Sequence, residues 1–286
     1  MDRVTVVMAT RDRREQVLTT LGHLQDAAGR CPVVLVDNAS SDGTAVAVEA
    51  RFPHVTVLRA DANLGATART VGVRAARTPY VAFADDDSWW APGALQRAAE
   101  VFEAHPRLGL LAARMLVGPE EVLDGVCREM AASPLGTAPD LPGPSLLGFV
   151  ACGAVVRRTA YLSVGGFSPV VFFLGEETVL AQDLMAAGWG VAYVDDVVAH
   201  HHPGMVTARP GRARLQTRNA LLSVWLRRPP RVSARRTAAL VRRSRDPVAR
   251  GALLDALRKL PAVLADRRVL PAEVESQVRL LEQVSS

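Results

Sequence analysis

Lysine is almost absent from this chain of 286 residues: among 34 basic side chains, Lys259 is the single lysine and arginine supplies the rest. The net charge is only +5, and no basic stretch is interleaved with aromatics. A nucleic-acid-binding surface is therefore not expected. Cysteine is scarce as well. Cys31, Cys127 and Cys152 are odd in number and lie far apart, with no C-x-x-C pair. That excludes a disulfide framework and a structural zinc site, and it fits a reducing compartment. No run approaches the roughly 18 apolar residues of a spanning helix. The opening run Val4-Thr5-Val6-Val7-Met8 is too short for a secretory leader, and Arg11, Arg13 and Arg14 follow it closely. The expectation is a cytoplasmic protein, soluble or peripheral at the inner face of the membrane. Glycine is missing from Ala9-Thr10-Arg11-Asp12-Arg13, directly after that first run. A sugar nucleotidyltransferase, the first competing reading, needs a Gly-rich phosphate loop there.

What is present is a strand–helix alternation. Strands are expected at Val4–Met8, Val33–Val36, Val55–Leu58, Tyr80–Ala84 and Leu108–Met115. Between them come helices at about 13–24, 44–51, 66–76 and 92–104. This spacing means βαβ units with right-handed crossovers and a mostly parallel sheet, an α/β fold. Residues 117–147 are rich in proline, glycine and acids, with a short helical stretch near 122–130. Further strands are expected at 149–156 and 191–194, with helices at about 159–164 and 178–187. Beyond a boundary near 205, strand patterns give way to Arg-rich helical ones at about 212–227, 233–244, 247–264 and 271–283.

The chemistry gathers where apolar strands meet acids. Asp85-Asp86-Asp87 ends the strand Tyr80–Ala84. Three adjacent carboxylates do not continue a buried strand, so they mark its carboxyl end, the edge where open α/β sheets bind ligands. Oxygen ligands there suit Mg²⁺ or Mn²⁺, with substrate phosphates completing the shell. The plain alternative is an acidic turn in which Asp87 or Ser88 caps the next helix. Asp37 ends the second strand at the same edge and suits a nucleobase or ribose; an Asx turn accounts for it equally. Asn63-Leu64-Gly65 and Arg69 form the next group, with Arg69 on a phosphate or in a structural ion pair. Glu176-Glu177 opens a helix, placed either for the helix dipole or as a general base with its orienting partner. His200-His201-His202 follows the last strand and offers an imidazole ligand.

In this order the residues resemble family 2 glycosyltransferases, nucleotide-sugar enzymes of the GT-A fold. The similarity spans roughly 4–202, with a weaker echo at Arg218-Asn219. It is carried by Val6–Arg13, by Val34-Leu35-Val36-Asp37-Asn38-Ala39-Ser40-Ser41-Asp42-Gly43-Thr44, by Asn63-Leu64-Gly65 with Ala68-Arg69, by Asp85-Asp86-Asp87 as the D-x-D motif, and by Gly165-Gly166-Phe167 through Glu176-Glu177. The resemblance implies a catalytic domain over 1–204, with a nucleotide-sugar half to about 115 and an acceptor half over 116–204, and a helical region over 205–286. It implies a nucleotide-sugar site of Thr10, Arg11, Asp37, Asn63, Gly65, Arg69, Asp85 and Asp86. The divalent metal would sit on Asp87 and Asp85, with His200 as a further contact. Glu177 would be the catalytic base. The usual second acid of that motif is Asp where this chain has Glu177, which leaves Glu176 or Glu177 open as base. The Gln-x-x-Arg-Trp motif of processive members is absent, so one inverting transfer is expected, to a glycan, lipid-linked or small-molecule acceptor. A non-catalytic scaffold of the same fold is the second competing reading. The Arg-rich tail suggests a peripheral membrane face or a carrier-protein contact, against solvated Arg on helices that cover the core. A second copy of the chain is kept among the candidate partners.

Overall fold

The computed structural model describes residues 3–28, 31–204 and 211–284. The domain boundary expected near 205 falls outside them. Nine strands make one sheet: β1 (Val4–Thr10), β2 (Val33–Asp37), β3 (Thr56–Arg59), β4 (Tyr80–Ala84), β5 (Ser88–Trp90), β6 (Leu108–Val117), β7 (Val122–Leu123), β8 (Ala154–Arg157) and β9 (Gly190–His201). The order is β3-β2-β1-β4-β8-β6-β9-β5, with β7 on the far end of β6. The β3-β2-β1-β4 half is parallel throughout, as is the long β6–β9 pair, and β8 joins the halves antiparallel to both neighbours. Every residue of β2 and β4 is buried, because helices cover both faces. Phe83, with no exposed surface, contributes about 1.5–3 kcal/mol of that burial.

The helices of the sheet region are α1 (Arg14–Ala28), α2 (Thr44–Arg51), α3 (Thr67–Ala75), α4 (Ala94–Ala104), α5 (Gly125–Ala131), α6 (Arg158–Ser163) and α7 (Glu176–Ala186). Helix α3 lies so close to β1 that a Cβ on Gly72 would come within 2.4 Å of Val7.

The structure corrects the sequence reading in the second half of the sheet. Ser88-Trp89-Trp90 is a strand paired with Ala199–His201 and does not cap a helix. Trp90 is wholly buried, its indole N–H donating to the Phe83 carbonyl at 3.1 Å, and two bulky aromatics favour the extended pleat. The last strand does not stop at Val194. Asp195 and Asp196 sit at a register shift against β6 and stay exposed on Arg114 (3.1 Å) and Arg97 (2.8 Å). Their charge is solvated, so the strand runs on and carries His200 and His201 within it. Strand β8 begins at Ala154, not at 149, and the stretch near 122–130 divides into β7 and α5.

The C-terminal region is all helical: α8 (Arg212–Arg227), α9 (Pro230–Arg242), α10 (Pro247–Arg258), α11 (Leu260–Asp266) and α12 (Ala272–Val284). The single helix expected over 247–264 is two, because Pro261 lacks an N–H and restricts the residue before it. These helices share a core with the preceding part, where Val170, Val171 and Val179 pack with Leu221, Leu222, Trp225 and Leu226. Arg227 and Arg228 are not part of a solvated basic face. Arg227 is buried on Asp183 (2.5 and 2.8 Å), and Arg228 is buried on Glu275 (2.6 Å) and Glu282 (2.9 Å). The ion pairs close the tail onto α7 and α12.

Candidate active site

The carboxyl ends of β1, β2 and β4 open into a polar cleft of about 580 Å³, lined by Thr10, Arg11, Asn63, Gly65, Arg69 and the Asp85–Asp87 triplet, among others. Each member of the triplet has partners of its own. Asp85 pairs with the buried Arg69 guanidinium, and its backbone N–H donates to Ser88 Oγ at 2.7 Å. Asp86 accepts from Thr10 Oγ1 at 2.8 Å and faces Arg13 at 3.5 Å. Burial pushes the Asp86 carboxyl up to about 6. Asp87 lies 3.4 Å from His201 Nε2, and this hydrogen bond raises the imidazole above its usual range.

The histidine at the triplet is therefore His201, not the expected His200. His200 turns to the other side of the strand, where Nδ1 is 3.2 Å from Glu121 and the ring stacks on Trp89. Alternation along β9 separates the two rings. Burial lowers the His200 pKa and so favours the neutral ring.

Asp37 is buried, with Oδ1 accepting from the Ser40 N–H at 3.0 Å, the Asx-type bond of a local turn. The cleft wall at that point is Asn38, which the sequence reading passed over. Its Nδ2 donates to Asn63 Oδ1 (3.0 Å) and its Oδ1 accepts from the Leu64 N–H (2.7 Å). Its place directly after Asp37, in the most distinctive motif, was the available signal. Gly65 has φ +60°, and a Cβ there would meet the Phe172 carbonyl at 2.4 Å. A neighbouring loop fills the space beside Gly65: Ala66 N–H donates to Phe172 O at 2.7 Å.

Phe172-Phe173-Leu174-Gly175 forms a strap across the cleft, leading into α7. Phe172 and Leu174 both hold φ of 70°, a left-handed conformation costly for such side chains. Asn219 of α8, buried, ties the strap from below, donating to the carbonyls of Phe173 (2.5 Å) and Leu174 (2.7 Å). The Arg218-Asn219 echo in the sequence therefore has a structural counterpart.

At the end of the strap Glu176 is 1% exposed, with Oε2 buried and unpaired among the described residues, while Glu177 is half-buried. Burial, then the charge of Glu177, pushes Glu176 up to about 8. Burial also raises Glu177. Arg69 links the two acidic groups. Burial opposes its charge, but Asp85, Glu176 and Glu177 outweigh that and raise its pKa. One guanidinium thus stands among three carboxylates, an excess of negative charge that calls for a proton or a cation.

Among the described residues no three His, Cys, Asp or Glu side chains are grouped to hold a metal ion by themselves. A divalent ion here would need oxygens from a bound diphosphate and water. Asp87, at the cleft wall with a single imidazole neighbour, is a fitting hard donor for that arrangement.

The mostly parallel sheet flanked by helices has the architecture of the GT-A fold, shared with the solved structures named below. The sequence pattern of glycosyl transferase family 2 matches residues 5–165, and the chain belongs to that family. It is 28% identical over 249 residues, 73% of this chain and 81% of the other, to N-acetylglucosaminyl-diphospho-decaprenol L-rhamnosyltransferase of Mycobacterium tuberculosis. Among solved structures it resembles mannosyltransferase PcManGT from Pyrobaculum calidifontis in complex with GDP-Man and Mn²⁺, with TM-score 0.59, 21% identity, and 99% of this chain and 79% of that one covered. It also resembles S. aureus TarS 1–349 in complex with UDP-GlcNAc, with TM-score 0.59, 16% identity, and 83% and 70% covered.

Proposed function

We propose that the chain transfers a single sugar, a deoxyhexose such as L-rhamnose, from a nucleoside-diphosphate donor to a hydroxyl of a lipid-linked saccharide, with inversion at the anomeric carbon. The observation that carries this is the meeting of Asp85–Asp87 with Glu176-Glu177 across Arg69. In this reading the triplet serves the diphosphate and sugar, and the acid pair supplies the base. The likeness to the mycobacterial rhamnosyltransferase supports the donor and acceptor class.

Thr10, Arg11 and Asn63 hold the donor, with Asp37 reaching the base through its second oxygen. Asp87 and Asp85 hold a divalent ion, Mn²⁺ or Mg²⁺, with His201 beside them. What such an ion supplies when bound is neutralisation of charge on the departing diphosphate. Glu177, the more open of the acid pair, takes the acceptor proton as the hydroxyl attacks in line. Burial pushes Glu176 up to about 8, which favours its neutral form, and Glu177 is the more exposed acceptor of the pair. Attack from the face opposite the leaving group inverts the configuration without a covalent sugar intermediate.

Catalysis takes place at the inner face of the membrane. No helix among the described residues is long and apolar enough to cross a membrane. Leu254, Leu257 and Leu260 are exposed beside Arg258 and Lys259, a composition suited to an anionic bilayer surface. Co-sedimentation with anionic but not neutral vesicles checks that part.

The primary test is calorimetric binding of UDP, GDP and dTDP, each with and without Mn²⁺. Metal-dependent binding of one of them is expected, followed by transfer from the matching sugar panel. A folded protein that binds none of the three overturns the proposal.

A further inference from the structure

A second opening lies on the far side of the strap. Phe172 and Phe173 line the donor cleft, whereas Leu174 and Gly175 line a largely apolar groove of about 720 Å³ between α7, α8, α9 and α12. It starts at Gly175 and Thr178, the residues on either side of the acid pair. Leu221, Leu240 and Val278 lie along its walls. Its size is that of a pocket that takes a whole small ligand. One polar side chain inside stands out. Gln182, one turn beyond Thr178 on α7, is only 5% exposed, and its Oε1 is buried without a partner among the described residues. A buried unpaired amide oxygen is costly, and a hydroxyl or amide N–H on the head of a ligand would satisfy it near Thr178, ahead of the apolar stretch. The ion pairs of Arg228 and Arg236 with Glu282 neutralise the charges of the remaining wall.

We propose that this groove binds the apolar chain of the acceptor. This rests on the functional reading above: the reacting hydroxyl stands at Glu177, the donor reaches it from the cleft, and the hydrocarbon leaves in the opposite direction under the strap. Three observations favour a hydrocarbon chain over a saccharide. The groove walls are mainly aliphatic, the groove adjoins the base, and it lies in the helical region whose exposed Leu and Arg side chains suit a membrane surface. A saccharide filling the groove would need more polar partners than Thr178, Gln182, Gln216, Thr217 and Ser223 supply.

The test uses the full chain and does not depend on turnover. Farnesyl phosphate and dodecyl phosphate, below their aggregation concentrations, are titrated calorimetrically, with inorganic phosphate as control. Nucleotide binding is measured separately. Binding of either chain-bearing phosphate but not of inorganic phosphate is expected, with a preference for farnesyl if the natural chain is isoprenoid. Ala220 lines the groove and is exposed to solvent, so Ala220→Trp narrows it without disturbing the core. That variant should bind the chain-bearing probes about tenfold or more weakly while binding nucleotide as before. Thr217→Trp serves if Ala220→Trp does not fold. Absence of chain binding, or equal binding by wild type and the narrowed variant, overturns the inference. Absence of nucleotide binding overturns the functional reading instead, and the two results are read from different titrations.

Discussion

The two openings on either side of Phe172–Gly175 are built by opposite means. The donor cleft is polar and already committed. Thr10, Arg13, Arg69 and His201 each hold a member of the acidic triplet, and Asn38 and Asn63 brace the loop beside it. The groove behind the strap is largely apolar, with one amide oxygen, Gln182 Oε1, left without a partner among the described residues. A charged, multiply bonded diphosphate needs preorganised donors and cations, since these must not reorganise as the leaving group departs. A hydrocarbon chain needs only shape and dryness. The difference teaches which substrate each opening is suited to select.

The comparison is broken most severely at the wall between the openings. Glu177→Gln should cut kcat by about 10²–10⁴-fold, the range of a lost general base. Nucleotide affinity in calorimetry should stay the same. Normal turnover in Glu177→Gln with loss in Glu176→Gln would move the base to Glu176. Arg228→Ala should destabilise the chain by about 1.5–3 kcal/mol in urea unfolding, because it takes the buried guanidinium from Glu275 and leaves that carboxylate with Arg279 alone. If it does so while the isolated nucleotide titration is preserved at low temperature, the cleft is independent of the helical side.

Smaller effects sharpen the contrast. Asn219→Ala leaves two strap carbonyls without donors and should cost about 1–3 kcal/mol in the same unfolding assay. Since the strap walls both openings, KM should rise for donor and acceptor together; a rise in one alone would argue against a shared wall. The finest test is a pH tilt. Glu176 titrates at about 8 in the fold against an ordinary value of 4.5, so folding favours its neutral form. That advantage is complete below pH 4.5 and is lost as pH rises through about 8. Relative to Glu176→Gln, the wild type should therefore lose stability between pH 5 and pH 9, with a slope of up to about 1.4 kcal/mol per pH unit. Thermal melts of both proteins across that range measure it.

The first half of the sheet was far more legible than the second. Strands β1 to β4 announce themselves because each is a short apolar run ending in a polar residue at one sheet edge. Asp37, Asn63 and Asp85–Asp87 are the visible ends of those runs. The second half of the sheet hides its pattern. Asp195-Asp196 reads as a strand end in sequence, yet a register shift lets both acids face solvent and the strand continue. That continuation decides which histidine meets the triplet, and no local pattern in His200-His201-His202 separates them. Arg227 and Arg228 look like their exposed neighbours until the tertiary contact with Asp183 and Glu275 is known. Long-range pairing, not local propensity, sets each of these.

Asn219 carries one more consequence. It belongs to the helical tail, yet it shapes a strap that belongs to the catalytic half. Anyone wishing to graft a different tail onto this sheet, to redirect the enzyme toward another acceptor, inherits a boundary condition. The new helix must present an amide at that one height, or the strap between the two openings loses its support. Any exchange of tails has to reproduce that fastening along with the shared core and the Arg227–Asp183 pair.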